Sequence, residues 1–108
     1  MANLNMVYIT CASPVEAEAI GRALVAERLA ACVNIVPGMR SIYRWKGAIE
    51  EAHETILIAK TPSALVAALT ERVKGLHSYT VPCIVALPME AGNVEYLQWI
   101  ADETAELP

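Results

Sequence analysis

Apolar and polar positions along this chain repeat with two periods, which predict its strands and its helices. Runs rich in β-branched and aromatic residues are typical of buried strands. Four segments fit that description, at residues 4–12, 32–45, 48–60 and 81–89. Pro37 and Gly38 interrupt the second segment and indicate a bulge or kink in one long strand. Lys46 and Gly47 mark a hairpin turn before the third segment.

The first helix is predicted by its entry signal. Ser13 can cap the first helical amides, Pro14 suits the first turn, and Glu16 completes a capping box. Apolar residues then recur at helical spacing up to about Ala31, and we expect the helix to run that far.

Two further helices are predicted later in the chain. Thr61 and Pro62 repeat the cap-and-proline signal, and Gly75 stands where that helix would terminate. Its apolar line is formed by Leu65, Leu69, Val73 and Leu76. Gly92 and Asn93 open the last helix, whose apolar residues are Val94, Leu97 and Ile100.

The order of these elements is β-α-β-β-α-β with an extra C-terminal helix, which predicts an α+β ferredoxin-like sandwich in a single domain over residues 1–108. On the returning strand of the hairpin, Thr55, Leu57 and Ala59 point to one face while Ile56 and Ile58 point to the other. Both faces are therefore apolar. Two helices can cover one of them, and the second requires another subunit.

Composition supports that expectation of an oligomer. The chain has 108 residues, of which 56% are hydrophobic, and its mean hydropathy is +0.39. A chain this short removes only about two-thirds of its surface from water when it folds alone. No apolar run approaches the roughly 18 residues needed to span a bilayer, so we expect no membrane partner. A second copy of the chain is the simplest way to bury the apolar surface that one chain leaves exposed.

Charge and cysteine content argue against nucleic-acid binding and against secretion. The net charge is −4, with 8 basic and 12 acidic residues, and no basic stripe of the kind that binds nucleic acid is present. The segment MANLNMVYIT does not resemble a signal peptide. Three cysteines cannot all pair within one chain and no CxxC occurs, which favours reduced thiols in the cytoplasm.

Three stretches of the chain resemble the CutA divalent-cation tolerance family. They are ERLAACVNIVPGMRSIYRWKGAIEEAHETILIAKT at residues 27–61, LHSYTVPCIVALPM at 76–89 and GNVEYLQWI at 92–100. The resemblance extends from residue 7 to about residue 104. It implies a cytosolic homotrimer of ferredoxin-like subunits, similar to PII-type signalling proteins, in which the long hairpin reaches neighbouring subunits. Bacterial members are associated with tolerance to divalent metals and copper binding, and animal relatives with roles such as enzyme anchoring.

The resemblance also implies a metal site. A thiolate and an imidazole together suit copper or zinc. The family's cysteine at the end of the first strand matches Cys11, and its histidine pair falls on Leu76 and His77, so one histidine is absent. The alternatives are that Cys11 fills a buried apolar position and that His77 interacts with a helix dipole. Cys83, where the family commonly has glutamate, is too far along a predicted strand to meet His77.

A second group of candidate residues belongs to an expected cleft between subunits. The resemblance places Trp45, Glu54, Lys60 and Tyr79 there with His77, and Cys32 is expected near a subunit boundary. Glu54 and Lys60 share one face of a strand but are roughly 20 Å apart. Lys60 therefore calls for a different carboxylate or an anionic ligand, unless it forms an interface salt bridge. Tyr43 and Trp45, near the hairpin tip, are expected to anchor the subunit contacts.

No motif in the chain indicates catalysis. A Ser-His-Asp set, a GxSxG elbow and a Gly-rich phosphate loop are absent from the sequence, so we predict a binding protein rather than an enzyme. RNA-recognition domains share the topology, but their basic aromatic motif is missing. Two hypotheses remain: a copper-binding metal-tolerance protein using Cys11 and His77, and a trimeric PII-like regulatory module that binds a small anionic ligand or a protein partner in its clefts.

Overall fold

The computed structural model describes residues 3–106 and has the predicted order of elements. These are β1 (Leu4–Cys11), α1 (Pro14–Ala26), β2 (Cys32–Trp45), β3 (Ala48–Pro62), α2 (Val66–Leu76), β4 (Ile84–Pro88) and α3 (Val94–Thr104). The strands form one antiparallel sheet in the order β2-β3-β1-β4. The α+β ferredoxin-like prediction with an added C-terminal helix is confirmed.

Helix α1 begins as predicted but ends at Ala26 rather than near Ala31. Arg28 adopts a left-handed conformation with φ of 59°, and the Leu29 amide donates to the Leu24 carbonyl at 2.9 Å. This is the hydrogen-bond pattern of a Schellman motif, in which glycine usually holds the left-handed position. The predicted end was wrong because an arginine takes that position, so no glycine marks the stop.

Helix α2 starts later than predicted, because Thr61 and Pro62 extend β3 instead of capping a helix. Thr61 pairs with Asn5 of β1, and its hydroxyl donates to the Leu29 carbonyl at 2.7 Å. A short 3₁₀ turn follows, and the helix runs from Val66 to Leu76. Thr61 and Pro62 therefore have the sequence pattern of a helix start, but tertiary contacts hold them in the strand.

The last strand is shorter than the predicted segment 81–89. Its pairing with β1 starts at Ile84, opposite Ile9. The residues between α2 and β4, at positions 77–83, form a loop that crosses the end of the sheet, and we call it the α2–β4 loop. Pro82 has no amide hydrogen and could not extend the ladder.

The β2–β3 hairpin has the predicted bulge and turn. The pairing shifts register between Val36 and Met39, with Gly38 at φ of 82°. At the tip, Lys46 and Gly47 both have positive φ, at 49° and 81°, which is the type I′ geometry favoured in two-residue hairpins.

The core lies between one face of the sheet and the helices α1 and α2. On β3 the residues Thr55, Leu57 and Ala59 are buried, as expected. We call the opposite side the open face; it carries Tyr8, Val36, Ile56, Ile58 and Val85. Helix α3 covers one end of it, where Ile100 packs with Leu4 and Met89. Part of the second face is thus covered within the chain, and Val36 and Val85 remain exposed.

Among residues 3–106, no helix combines the length and the apolar character that crossing a bilayer requires.

Helix α1 approaches β2 closely at Gly21. A Cβ atom there would lie 2.9 Å from Cγ2 of Val33, a distance that forces something to move. Because valine is stiff at χ1, the strand itself would have to shift.

We therefore expect Gly21→Ala to destabilise the fold. Overpacking costs about 1–3 kcal/mol and the gain in helix propensity offsets about 1 kcal/mol. Chemical unfolding at fixed protein concentration measures the net loss. Gly75→Ala in α2 is the matched control, since its Cβ would meet nothing within 4 Å, and it should be neutral or stabilising. Equal stability of the two variants would contradict the close-approach argument.

Candidate functional site

Three potential ligand atoms meet where β1 ends, α1 begins and α2 terminates. Cys11 is the last residue of β1, Glu16 lies in the first turn of α1, and His77 follows α2. The Cys11 sulfur, a Glu16 carboxylate oxygen and a His77 ring nitrogen all lie within 4.8 Å of one another. The two residues selected from the sequence as metal ligands are thus brought together, with Glu16 as a third.

Hydrogen bonds on both ring nitrogens orient His77. Its side chain is 0% exposed. The Tyr79 amide donates to Nδ1 at 3.0 Å, so Nδ1 carries the lone pair and Nε2 carries the hydrogen. Nε2 donates to the Thr10 carbonyl at 2.7 Å. The imidazole therefore contacts the end of β1, and it does not cap the carbonyls of α2.

Glu16 joins two segments that are distant in sequence. Its Oε1 accepts the Ala12 amide at 3.0 Å and its Oε2 accepts the Ser78 amide at 3.1 Å. Burial alone would raise the pKa of this carboxyl, but the hydrogen bonds from Ser78 and Ala12 hold it below the usual value. The group is thus ionised at neutral pH. Sequence reasoning gave Glu16 only a capping role. Its place in the first turn, where a side chain can reach back toward β1, was the available signal.

The Cys11 thiol is fully buried beside negative charge. Burial raises its pKa to about 12, and the carboxylates of Glu16 and Glu54 contribute in the same direction. Such a thiol stays protonated at neutral pH unless a cation binds nearby.

A cavity of about 630 Å³ opens next to this cluster, on the open face of the sheet. It is lined by Tyr8, Thr10, Ser41, Tyr43, Trp45, Glu54, Ser78, Tyr79, Thr80, Val81 and Cys83. Of the candidates for the cleft between subunits, Trp45, Glu54 and Tyr79 therefore lie together. Cys83 lines this cavity and does not belong to the Cys11 cluster.

Tyr79 connects the cluster to the cavity. Its amide donates to His77, and its ring centroid lies 4.7 Å from that of His77. Its hydroxyl donates to Oε2 of Glu54 at 2.9 Å. Burial, followed by the interaction with Glu54, raises the pKa of the phenol to about 12.

The remaining cleft candidates, Cys32 and Lys60, are not in the cavity. They pair with each other across β2 and β3, toward the other end of the hairpin's paired strands. Lys60 Nζ donates to Tyr96 Oη at 3.1 Å and lies 5.3 Å from the centre of that ring. Within residues 3–106 Lys60 thus contacts an aromatic side chain of α3, and the interface salt bridge or anionic ligand expected from the sequence stays a prediction. Leu76, where the resemblance implied a second histidine, is 38% exposed at the end of α2.

Comparisons with known proteins agree along nearly the whole chain. A sequence model described as "CutA1 divalent ion tolerance protein" matches residues 5–103. The "Divalent-cation tolerance protein CutA" of Thermus thermophilus is 56% identical over 100 residues, which are 93% of this chain and 97% of that protein. Human "Protein CutA" is 47% identical over 102 residues, which are 94% of this chain and 57% of the human protein.

A solved structure gives the same result. The "Divalent cation tolerance protein (Cut A1)" of Thermus thermophilus aligns with a TM-score of 0.92 at 54% identity, covering 94% of this chain and 99% of that one.

The raised pKa of Cys11 predicts an unreactive thiol. With a pKa of about 12, roughly one thiol in 10,000 is ionised at pH 8. Iodoacetamide should therefore modify Cys11 at least about 100-fold more slowly than the half-buried Cys32, and the rate should climb as pH rises toward 12. Peptide mass spectrometry after brief alkylation measures both, with urea-unfolded protein as the control in which the rates converge. Comparable rates in the folded protein would refute the prediction.

Proposed function

Because this chain belongs to the CutA1 divalent ion tolerance protein family, we propose that it binds copper through Cys11, His77 and Glu16 and functions as a cytoplasmic homotrimer in metal tolerance. The observation that carries the proposal is the convergence of three different donor atoms within 4.8 Å at one buried junction. These residues come from three separate elements, so the fold itself assembles the donor set.

The donor chemistry fits the proposed metal. Thiolate and imidazole are ligands for copper and zinc, and among divalent first-row ions copper binds a given nitrogen, oxygen and sulfur set most tightly. Binding would release the proton of the Cys11 thiol, as metal ligation by cysteine generally does. The ionised Glu16 adds a negative charge that favours any cation at this junction and compensates in part for the absent second histidine.

The hydrogen bonds of His77 set the cost of metal binding. Nδ1 lies 3.7 Å from the Glu16 carboxylate, and its only lone pair accepts the Tyr79 amide. A metal bound at Nδ1 would displace that amide, and a metal bound at Nε2 would displace the bond to Thr10. Either choice loses one hydrogen bond, which favours a site of moderate affinity over one that holds metal permanently.

A binding role is favoured over nucleophilic catalysis by the protonation state of the Cys11 thiol. Cysteine attacks as the thiolate, and the pKa of Cys11 lies far above physiological pH. The three cysteines are unpaired, which accords with the proposed cytoplasmic location.

The homotrimer is favoured by apolar surface on the hairpin and the open face. Ile42 and Ile49, near the hairpin tip, are each 71% exposed. Strand β2 is an edge strand of 14 residues, and long exposed edges of this kind pair readily with other chains.

Copper affinity tests the metal proposal. The reduced protein is titrated anaerobically with copper and, separately, with zinc. Cys11→Ser and His77→Ala should each weaken copper binding by at least about 100-fold, the upper end of what an outer-shell change costs, and Glu16→Gln by about tenfold. Cys32→Ser is the control and should bind as the wild type does. Copper binding that is unaffected by both ligand substitutions would exclude this site.

Sedimentation velocity tests the assembly. The double variant Ile42→Ser with Ile49→Ser should shift the protein toward the monomer at low concentration, because each side chain would lose roughly 1.5–3 kcal/mol of burial. Val15→Ser is the control, since Val15 is 78% exposed and belongs to the first turn of α1 rather than to the hairpin. A trimer that persists in the double variant at all concentrations would show that these residues do not hold it together.

A further inference from the structure

The α2–β4 loop is held to the candidate metal centre by two consecutive backbone amides. The Ser78 amide donates to Oε2 of Glu16 at 3.1 Å, and the Tyr79 amide donates to Nδ1 of His77 at 3.0 Å. The side chain of His77 is 0% exposed, and Cys11 is also fully buried. A metal ion therefore reaches these donor atoms only when part of the protein moves.

The two amides differ in whether a metal has to replace them. A carboxylate oxygen has two lone pairs, so Glu16 can bind a metal and still accept the Ser78 amide. The deprotonated nitrogen of a neutral imidazole has one lone pair, and in His77 the Tyr79 amide occupies it. A metal at Nδ1 and the amide of Tyr79 therefore exclude each other.

The second ring nitrogen of His77 favours Nδ1 as the atom that binds metal. Nε2 donates to the Thr10 carbonyl at 2.7 Å. Histidines that bind metals almost always donate their other ring N–H to a carboxylate, a backbone carbonyl or water, which fixes the tautomer and the orientation of the ring. Nδ1 also lies 3.7 Å from a carboxylate oxygen of Glu16. The ring is thus already oriented for ligation through Nδ1, and the bond that a metal replaces is the one from Tyr79.

Tyr79 connects this exchange to the hairpin. Its hydroxyl donates to Oε2 of Glu54 on β3 at 2.9 Å, near the long end of the usual range of about 2.5–3.0 Å. Zinc lies about 2.0–2.1 Å from a histidine nitrogen, so the amide, now 3.0 Å from Nδ1, would have to retreat. Because the phenol ring is rigid, a retreat of the Tyr79 backbone draws the hydroxyl away from Glu54.

We propose that Tyr79 is a positioning residue that opposes metal binding: the α2–β4 loop and the metal compete for Nδ1 of His77, and the bond from Tyr79 to Glu54 breaks when the metal binds. This inference rests on the proposed metal site and adds the response of the loop to its occupancy. Tyr79 and Glu54 line the cavity on the open face, which other subunits cover in the proposed trimer, and the exchange requires neither side chain to be exposed. Metal binding at the end of β1 therefore also alters the face that the subunits share.

Copper titration of the Tyr79→Phe variant tests the competition. This variant keeps the ring and the amide but loses the hydroxyl, so metal binding no longer breaks a bond to Glu54. Copper should bind it about tenfold more tightly than it binds the wild type, since hydrogen bonds to a charged group are among the strongest in proteins. Tyr8→Phe is the matched control. Tyr8 lines the same cavity, but its hydroxyl contacts Met39 rather than the loop, and the affinity should not change.

The outcomes separate this inference from the proposed function. An unchanged or lower copper affinity of Tyr79→Phe would overturn the inference, and the proposed function would stand as long as His77→Ala still weakens binding. Copper binding that ignores both Cys11→Ser and His77→Ala would remove the proposed function and the inference together.

Nuclear magnetic resonance of the zinc-loaded wild-type protein gives a second readout that needs no variant. Long-range proton–nitrogen spectra identify the ring nitrogen of His77 that keeps its hydrogen, which should be Nε2. The Tyr79 amide should exchange with solvent faster than in the metal-free protein, while the Leu29 amide, which donates to the Leu24 carbonyl, should not change. A hydrogen on Nδ1, a Tyr79 amide as protected as before, or His77 signals that zinc does not alter would overturn the proposal.

Discussion

The carboxylate of Glu16 accepts one hydrogen bond from the amide of Ala12, directly after β1, and another from the amide of Ser78 in the α2–β4 loop, and the arrangement of the candidate centre depends on this bridge. Hydrogen bonds to a charged group each contribute about 1.5–3 kcal/mol, roughly twice the value for neutral pairs. Since Ser78 is adjacent to His77, fixing the Ser78 amide also fixes the position of the imidazole. The residue that brings the charge is thus also the residue that holds two of the three elements together.

The order of the elements was predictable because each has a local signal. The positive-φ turn at Lys46 and Gly47 and the bulge at Gly38 were visible as glycines in β-favouring surroundings. The boundaries that were wrong depend on contacts distant in sequence. Thr61 looks like a helix cap, yet its hydroxyl finds the Leu29 carbonyl and its backbone finds Asn5. A pattern within a few residues cannot show whether Thr61 bonds to the amides of a following helix or to residues that are distant in sequence.

The site was predictable only in part, for the same reason. Cys11 and His77 were identified through a family resemblance, and the structure then placed their side chains together. Glu16 was predicted only to complete a capping box, because its spacing from Ser13 matches that motif and no second role was needed to explain it. The sequence also did not show that the cleft candidates lie at two separate places. Glu54 and Lys60 share a face of β3, but Glu54 is bonded to Tyr79 and Lys60 is bonded to Tyr96. The alternation of apolar and polar residues predicts which face of a strand a side chain occupies. Which other segment packs against each end of that face depends on the rest of the chain.

The β2–β3 hairpin is the most local pairing in the sheet, because its two strands are joined by only two residues, whereas β1 pairs with a strand more than forty positions away. Short loops close at little entropic cost, so contacts of this kind form early. A ribosome therefore releases this hairpin, with Ile42 and Ile49 at its tip, before β4 has been synthesised. The nascent chain therefore exposes the long edge of β2 while the rest of the sheet is still being synthesised, and an exposed edge of this kind is a site at which chains aggregate unless it is covered.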